Sequence, residues 1–475
     1  MSACFDVENL ARVVGGRWII EPAGAQRITG VGTDTRQNLS GRAFIALRGP
    51  RHDGHDHLRS AVQAGAGLLI IDRSILGGTP DGVAVLRVAD TRAALRDLAG
   101  AHRAELSRTT VIAVTGSCGK TTTKEMIHAA LAGTLIGTRA PRSFNNDIGV
   151  PLTILDASPD DEYVVLEIGM NRPGEIAALA QTARPDIAVI TTIGPAHLGG
   201  LGSVRAIAAE KASLLDALVP DGWAMLNADH EFAAEHAARF RNVRTFGAST
   251  NADVRLTDYG YDEALELWWF DVNAAARFRL ALPGRHNAVN ALAAVAVAQH
   301  LGVADERISC GLAGVALPGM RMSRQQFGSV CIFNDAHNAN PQSMPASIHA
   351  FLESTPRAAR HVLILGDMLE LGPDAASMHE ALGQSLLETS EAHSIDRIIF
   401  IGELMRYAHH AVAQRWGGGR VQAFSELDRQ SIAKIWGEFR SGDAVLLKAS
   451  RGLALERILD DRPDTVDFAR RAMVV

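Results

Sequence analysis

The sequence predicts an α/β protein of three domains, built on mostly parallel sheets. Three observations carry this. Short β-branched runs alternate with Ala-rich helical stretches along most of the chain, the βαβ rhythm of a doubly wound sheet. The length, 475 residues, suggests about three domains at roughly 150 residues each. Apolar residues make up 47% and charged residues 21%, ordinary globular values that exclude disorder or coiled coil for most of the chain.

In chain order, GVGTDTR (30–36), AFIALRG (43–49) and GLLIID (67–72) read as strands of a first unit. A polar helix within DTRAALRDLAGAHRAELSRTT links it to the next. There, VIAVTG (111–116), YVVLEIG (163–169), IAVITTIG (187–194) and WAMLNAD (223–229) are each followed by a helical stretch. Residues 252–285 change period: apolar and polar residues alternate, as antiparallel strands require. A small side sheet is expected there, before a helix starting near His286. After Pro318-Gly319 a second rhythm begins, with VCIFNDAHN (330–338), HVLILGDM (361–368), RIIFIG (397–402) and AVLLKAS (444–450). The expected domains are 1–107, 108–319 and 320–475. There is no internal repeat and no low-complexity segment.

Composition narrows the function. Lys and Arg number 47 against 53 Asp and Glu, a formal charge of -6, so no global basic field attracts a polyanion. Aromatics are 5%, which leaves few platforms for stacking bases. Cys4, Cys118, Cys310 and Cys331 stand far apart; a disulfide framework or zinc ribbon is not expected, and a reducing compartment fits. Asp6 and Glu8 stand where a signal peptide would carry positive charge. His286 to Ala304 lacks Asp, Glu, Lys and Arg but holds Asn287, Asn290, Gln299 and His300, so it reads as a buried helix and not a membrane span. A soluble cytoplasmic protein is expected.

The strongest local signal is VIAVTGSCGKTTTKEM. An apolar strand runs into Gly116-Ser117-Cys118-Gly119-Lys120-Thr121-Thr122, and a helix follows. Glycines let backbone N–H groups turn inward around phosphate oxygens, and the helix N-terminus adds a positive dipole. Lys120 is placed to reach β- and γ-phosphates and Thr121 to hold Mg²⁺. The usual G-x-x-x-x-G-K-[ST] spacing needs glycine at 114, where this chain has Val114, so the loop is a shortened variant. ATP fits better than a dinucleotide, because no G-x-G-x-x-G accompanies a strand here. A tight glycine turn at a strand–helix junction is the bland alternative.

Other candidates sit at strand ends, where doubly wound folds place ligands. Glu167 ends YVVLEIGM, opposite the phosphate loop, as a metal-holding acid or a capping carboxylate. His197 lies in GPAHLGGLG, as a ligand or a structural loop histidine. Asn287 and Asn290, three apart, share one face of a helix, though Asn287 alone could be a cap.

Taken together, the residues resemble the Mur ligase family of bacterial peptidoglycan synthesis. The ordered set TGSCGKTTTKE, SFNNDIGVPLT, EIGMNRPGEI, GPAHLGGLGS, AAEKASLL, LNAD, LPGRHNAVNALAA, GMRMS, NDAHNANPQSM, LGDMLELG and KASRG covers nearly the whole chain. The resemblance implies a small N-terminal α/β domain that binds a UDP-sugar, with Asp34, Thr35 and Arg36 near it. It implies a central P-loop ATPase and a C-terminal Rossmann-like domain that closes over the site. Lys120 would bind phosphate, with Gly116 to Thr122 around it, and Thr121 with Glu167 would hold magnesium. His197 would sit on a second magnesium ion, with Lys211 as a carbamylated lysine. Asn287 and Asn290 would meet adenine, Arg321 and Asp335 would approach the nucleotide, and Asn145 and Asn146 would face substrate. The implied reaction joins D-Ala-D-Ala to UDP-N-acetylmuramoyl-tripeptide with ATP and Mg²⁺, in a monomer.

Two departures stand out. His337 occupies a position where the family often has Tyr, and Ser213 one where it often has Glu. The DNPR motif of the family's diaminopimelate-adding member is absent, which favours the dipeptide-adding reaction. Runner-up readings are a sister ligase adding one amino acid, a folylpolyglutamate or cyanophycin synthetase-like enzyme, a nucleotide-binding regulator without catalysis, and an ordinary P-loop NTPase.

Overall fold

A computed structural model describes residues 3–24, 27–74, 78, 80, 82–196, 198–392 and 394–463. Three large sheets follow one another along the chain. The first has five strands in the order Arg17–Ile20, Ala84–Arg87, Leu68–Ile71, Ala43–Ile45, Val31–Gly32, parallel except for its first pair. The last has six, in the order Ser323–Phe327, Val330–Asn334, Asp443–Lys448, Arg360–Gly366, Arg397–Ile401, Val421–Phe424. Only its opening hairpin is antiparallel.

The central sheet has nine strands. Thr110–Thr115 lies between Tyr163–Glu167 on one side and Ile187–Ile190 on the other, both parallel to it. The chain therefore leaves this strand in one direction and returns on its other side. The crevice above its carboxyl end is the topological switch point, where such sheets bind ligands. The antiparallel strands expected in 252–285 are present as Val254–Asp262, Leu267–Val272 and Ala276–Leu280. They do not form a separate side sheet. Val254–Asp262 pairs in parallel with Val243–Gly247 through Phe246 and Gly247, and so extends the central sheet. The edge at Val243–Gly247 was open to pairing, and backbone hydrogen bonds close it.

The helix expected near His286 is present as Arg285–His300, and it is buried. Ala291 through Ala298 are fully buried. Its alanines let the phosphate-loop helix Lys120–Ala132 pack closely, and the two share one apolar cluster with Met126, Ile127 and Leu131. Among the described residues, no helix is long and apolar enough to cross a membrane.

The linking helix, Thr91–Glu105, joins the first unit to the second through packing as well as chain. Ala94, Leu95 and Leu98 belong to one core with Leu68 and Leu86 of the first sheet, with Val111 and Leu166 of the central sheet, and with Ile176 of the Glu175–Ala183 helix. Arg103, only 8% exposed, donates to the carbonyls of Ala183 and Arg184 at 2.9 Å and pairs with Asp186 at 2.8 Å. Arg103→Ala is expected to lower unfolding stability by about 2–3 kcal/mol, because it strips charge-assisted partners from groups that stay shielded. A denaturant midpoint equal to the parent's would refute that strut.

Candidate active site

The phosphate loop is shaped by two glycines. Gly119 has φ +80°, and a Cβ there would lie 2.5 Å from Asn290 Oδ1. Gly116 has φ +154°, and a Cβ there would lie 1.9 Å from Thr191 Oγ1. Neither position admits a side chain without moving its neighbours. The turn is fixed to the adjacent strand end. Ser117 Oγ donates to Gly194 O at 2.9 Å and accepts from Gly194 N at 3.0 Å. The Cys118 N–H donates to Thr192 Oγ1 at 2.8 Å. Lys120 opens the helix, and its ammonium arches back to donate to Gly116 O at 2.7 Å. Burial holds its pKa below the usual lysine range.

Glu167 ends its strand 1% exposed and faces the same crevice. Its Oε1 accepts from Asn145 Nδ2 at 2.9 Å. Its Oε2 is buried with no hydrogen-bond partner among the described residues, although Lys124 Nζ lies 3.8 Å away. A buried carboxylate oxygen left over in this way fits a cation ligand better than a capping group. Asn146 accepts from the N–H groups of Ile148 and Gly149 at the start of the Gly149–Asp156 helix. Asn287 and Asn290 lie on one helix face as expected, both buried: Asn287 Nδ2 donates to Pro283 O at 2.7 Å, and Asn290 Nδ2 reaches Asn287 Oδ1 at 3.5 Å.

The C-terminal domain supplies the opposite wall. Arg321 donates to Thr121 Oγ1 at 3.1 Å, Ser143 Oγ at 2.9 Å and the His337 ring at 3.0 Å. Burial, reinforced by Arg321, pushes the His337 pKa down to about 4, so this ring is neutral at pH 7 and accepts from the guanidinium. Asp335 accepts from Lys448 Nζ at 2.6 Å and Ser347 Oγ at 2.7 Å. Asn340 Nδ2 lies 3.0 Å from Cys118 Sγ, and Gln342 Nε2 donates to Ile193 O at 3.1 Å. Between the walls lies a cavity of about 1130 Å³, lined by Ser117 to Thr122, Asn145, Asn146, Glu167, Asn287, Asn290, Arg321 and Asp335.

Other sequence candidates are not on that wall. Lys211, 2% exposed, lies in the last turn of the Val204–Ala212 helix; burial and the charge of Lys120 hold its pKa well below the usual lysine range. Asp34, Thr35 and Arg36 follow a strand of the N-terminal sheet, where Asp34 takes the Arg36 guanidinium at 2.9 and 2.7 Å. They do not line the cavity. His197 lies outside the described residues. Sequence reasoning missed Lys124, Asn340, Gln342 and Lys448. They stand in the motifs TTTKE, NANPQSM and KASRG, but local pattern alone does not say which of a motif's polar residues turns inward.

Cys118 lines the cavity on the loop itself, with Asn340 Nδ2 of the C-terminal wall 3.0 Å from its sulfur, so a bulky adduct there would intrude on the space between the walls. Thiol alkylation at Cys118 is expected to inactivate the protein, and Mg-ATP to protect it. Full activity after verified alkylation at this position would count against the placement.

Three family models match in order along the chain: a Mur ligase family catalytic domain at residues 27–103, a Mur ligase middle domain at 114–298 and a Mur ligase glutamate ligase domain at 320–451. The UDP-N-acetylmuramoyl-tripeptide–D-alanyl-D-alanine ligase of Bacillus subtilis (strain 168) is 37% identical, over 96% of this chain and 97% of that protein. A crystal structure of MurF from Acinetobacter baumannii superposes with a TM-score of 0.84 at 30% identity, covering 97% of this chain and 99% of that one. The MurF ligase of Thermotoga maritima in complex with ADP superposes with a TM-score of 0.75 at 27% identity, covering 91% and 96%. On these matches and this architecture, the chain belongs to the Mur ligase family.

Proposed function

We propose that the chain is an ATP-dependent amide ligase of peptidoglycan precursor synthesis that joins D-Ala-D-Ala to UDP-N-acetylmuramoyl-tripeptide. One observation carries the reading: a glycine-shaped phosphate loop with Lys120 faces Arg321 and Lys448 across a single cavity, so cations from two domains converge where transferred phosphate would lie. The ADP complex of the Thermotoga relative supports ATP as the nucleotide.

A carboxylate is a poor electrophile. In the proposed reaction the tripeptide's terminal carboxylate oxygen attacks the γ-phosphorus, the bond to the β-phosphate oxygen breaks, and ADP leaves. The dipeptide amine then attacks the acyl carbon, loses a proton, and inorganic phosphate departs. Lys120 and Arg321 stabilise charge gathered on the phosphoryl oxygens. The two walls exclude water that would hydrolyse the acyl phosphate. Asn287 and Asn290 form the side of the cavity assigned to adenine, and Asn145 and Asn146 the side assigned to the peptide. Thr121 and Glu167 suit magnesium, which supplies Lewis-acid neutralisation of phosphate charge when bound. Lys211, as a carbamate anion, suits a second ion.

In this reading residues 1–107 bind the UDP-sugar near Asp34, Thr35 and Arg36, residues 108–319 bind ATP, and residues 320–475 close the site. The cavity is complete within one chain, which supports a monomer, and the use of ATP supports a cytoplasmic location. Phosphate release measured with UDP-N-acetylmuramoyl-tripeptide is expected with D-Ala-D-Ala and not with single amino acids. Release with a single amino acid alone would transfer the chain to a sister reaction.

A further inference from the structure

Lys124 stands one helical turn beyond Lys120, and its side chain is fully buried. An ammonium is rarely placed there unless several acceptors meet it. Its Nζ donates to Ala140 O at 2.7 Å and to Arg142 O, lies 3.0 Å from Glu125 Oε1, and stands 3.8 Å from Glu167 Oε2. Glu125, 5% exposed, is paired in turn with Arg139 at 2.5 Å. The two carbonyls begin the segment that carries Ser143, partner of Arg321, and Asn145, partner of Glu167. One cation thus touches the phosphate-loop helix, the chain leading to the substrate-facing loop, and the field of the carboxylate at the next strand end.

We propose that Lys124 is a positioning residue that fastens the 140–146 segment beneath the phosphate loop, so that Asn145 orients Glu167 toward the nucleotide-bound cation. The proposal rests on the reading of Glu167 as facing Mg-nucleotide. Two effects of the ammonium oppose each other. Its charge alone, so near the carboxylate, weakens a metal cation's attraction to Glu167. Its hydrogen bonds fix the loop whose Asn145 sets the carboxylate's direction, as the outer shell of a metal site does. A purely electrostatic bystander and a positioning residue therefore predict opposite signs when Lys124 is removed.

The test uses Lys124→Met and the double variant Lys124→Met/Glu125→Met in the full-length protein. The double variant removes the buried pair together, a change that folded proteins often tolerate, so it reports even where the single variant does not fold. ADP binding is titrated calorimetrically at graded Mg²⁺, and amide exchange of residues 140–146 is followed in nucleotide-free protein. Positioning predicts that the Mg²⁺ concentration for half-maximal ADP binding rises about tenfold or more, with faster exchange across 140–146 and unchanged exchange in the C-terminal sheet. An unchanged or lowered Mg²⁺ requirement, or unchanged exchange in that segment, overturns the proposal. Glu167→Gln is run alongside: if it leaves the Mg²⁺ requirement untouched, the reading of Glu167 fails, and the exchange result still judges Lys124.

Discussion

Lys120→Ala is expected to remove all but a small residue of ATP turnover in a protein that still folds. Lys120 is the one lysine that opens the phosphate-loop helix, and its ammonium is held over the loop by Gly116 O. Phosphate oxygens arriving there would take that ammonium from a single backbone carbonyl. The gain is charge on charge in a shielded cavity, where such contacts are worth about 3–4 kcal/mol of transition-state stabilisation. A loss of roughly two to three orders of magnitude in kcat follows. The far wall retains Arg321 and Lys448, so nucleotide binding should weaken less than turnover. A folded mutant that hydrolyses or transfers phosphate at a near-parental rate would remove Lys120 from the chemistry.

Lys211→Arg carries the second large effect. Burial and the charge of Lys120 already disfavour the Lys211 ammonium, so the neutral amine is the accessible form. A neutral amine can add CO₂ and become a carbamate, which reverses the sign of the side chain. Arginine keeps a positive charge of similar reach and stays protonated. The variant should therefore lose about a hundredfold or more in kcat, as should Lys211→Ala, with both still folded by circular dichroism and the arginine variant melting lower than the parent because its buried charge cannot be shed. Small carboxylic acids should restore part of the alanine variant's activity and none of the arginine variant's. Parental turnover by Lys211→Arg would end the carbamate assignment.

Strand positions were legible because buried parallel strands announce themselves as nearly unbroken apolar runs: Tyr163–Glu167, apolar up to its closing glutamate, is buried at every residue. The mis-sized feature was the 252–285 region. Alternation there reported one solvated face correctly, but a periodic pattern says nothing about which edge a strand joins, and two backbone pairings at Phe246 and Gly247 decided that. The phosphate loop was legible because glycine, lysine and threonine act there through local geometry. Lys124 was not, since what makes it matter is a pair of carbonyls at Ala140 and Arg142, set by the return of the chain. Arg321 was placed only through the family resemblance, as its partners Thr121 and Ser143 lie in another domain.

The apolar core that runs from the first sheet through the Thr91–Glu105 helix into the second is not matched at the other junction, where among the described residues no buried cluster is shared and Met378 packs against the clusters of both sides. Polar contacts there join Arg321 with Thr121, Asn340 with Cys118, Tyr259 with Glu353 at 2.8 Å, and Arg357 with Glu263 at 2.9 Å. The six-stranded sheet is closed by apolar clusters on both of its own faces. Cooperativity should follow that asymmetry. In scanning calorimetry the first two lobes are expected to melt as one unit and the C-terminal lobe as another. A nucleotide gripped by both walls binds only while both are folded, so saturating it should draw the two endotherms together. The same separation means that the C-terminal lobe can swing without loosening the core that holds the phosphate loop.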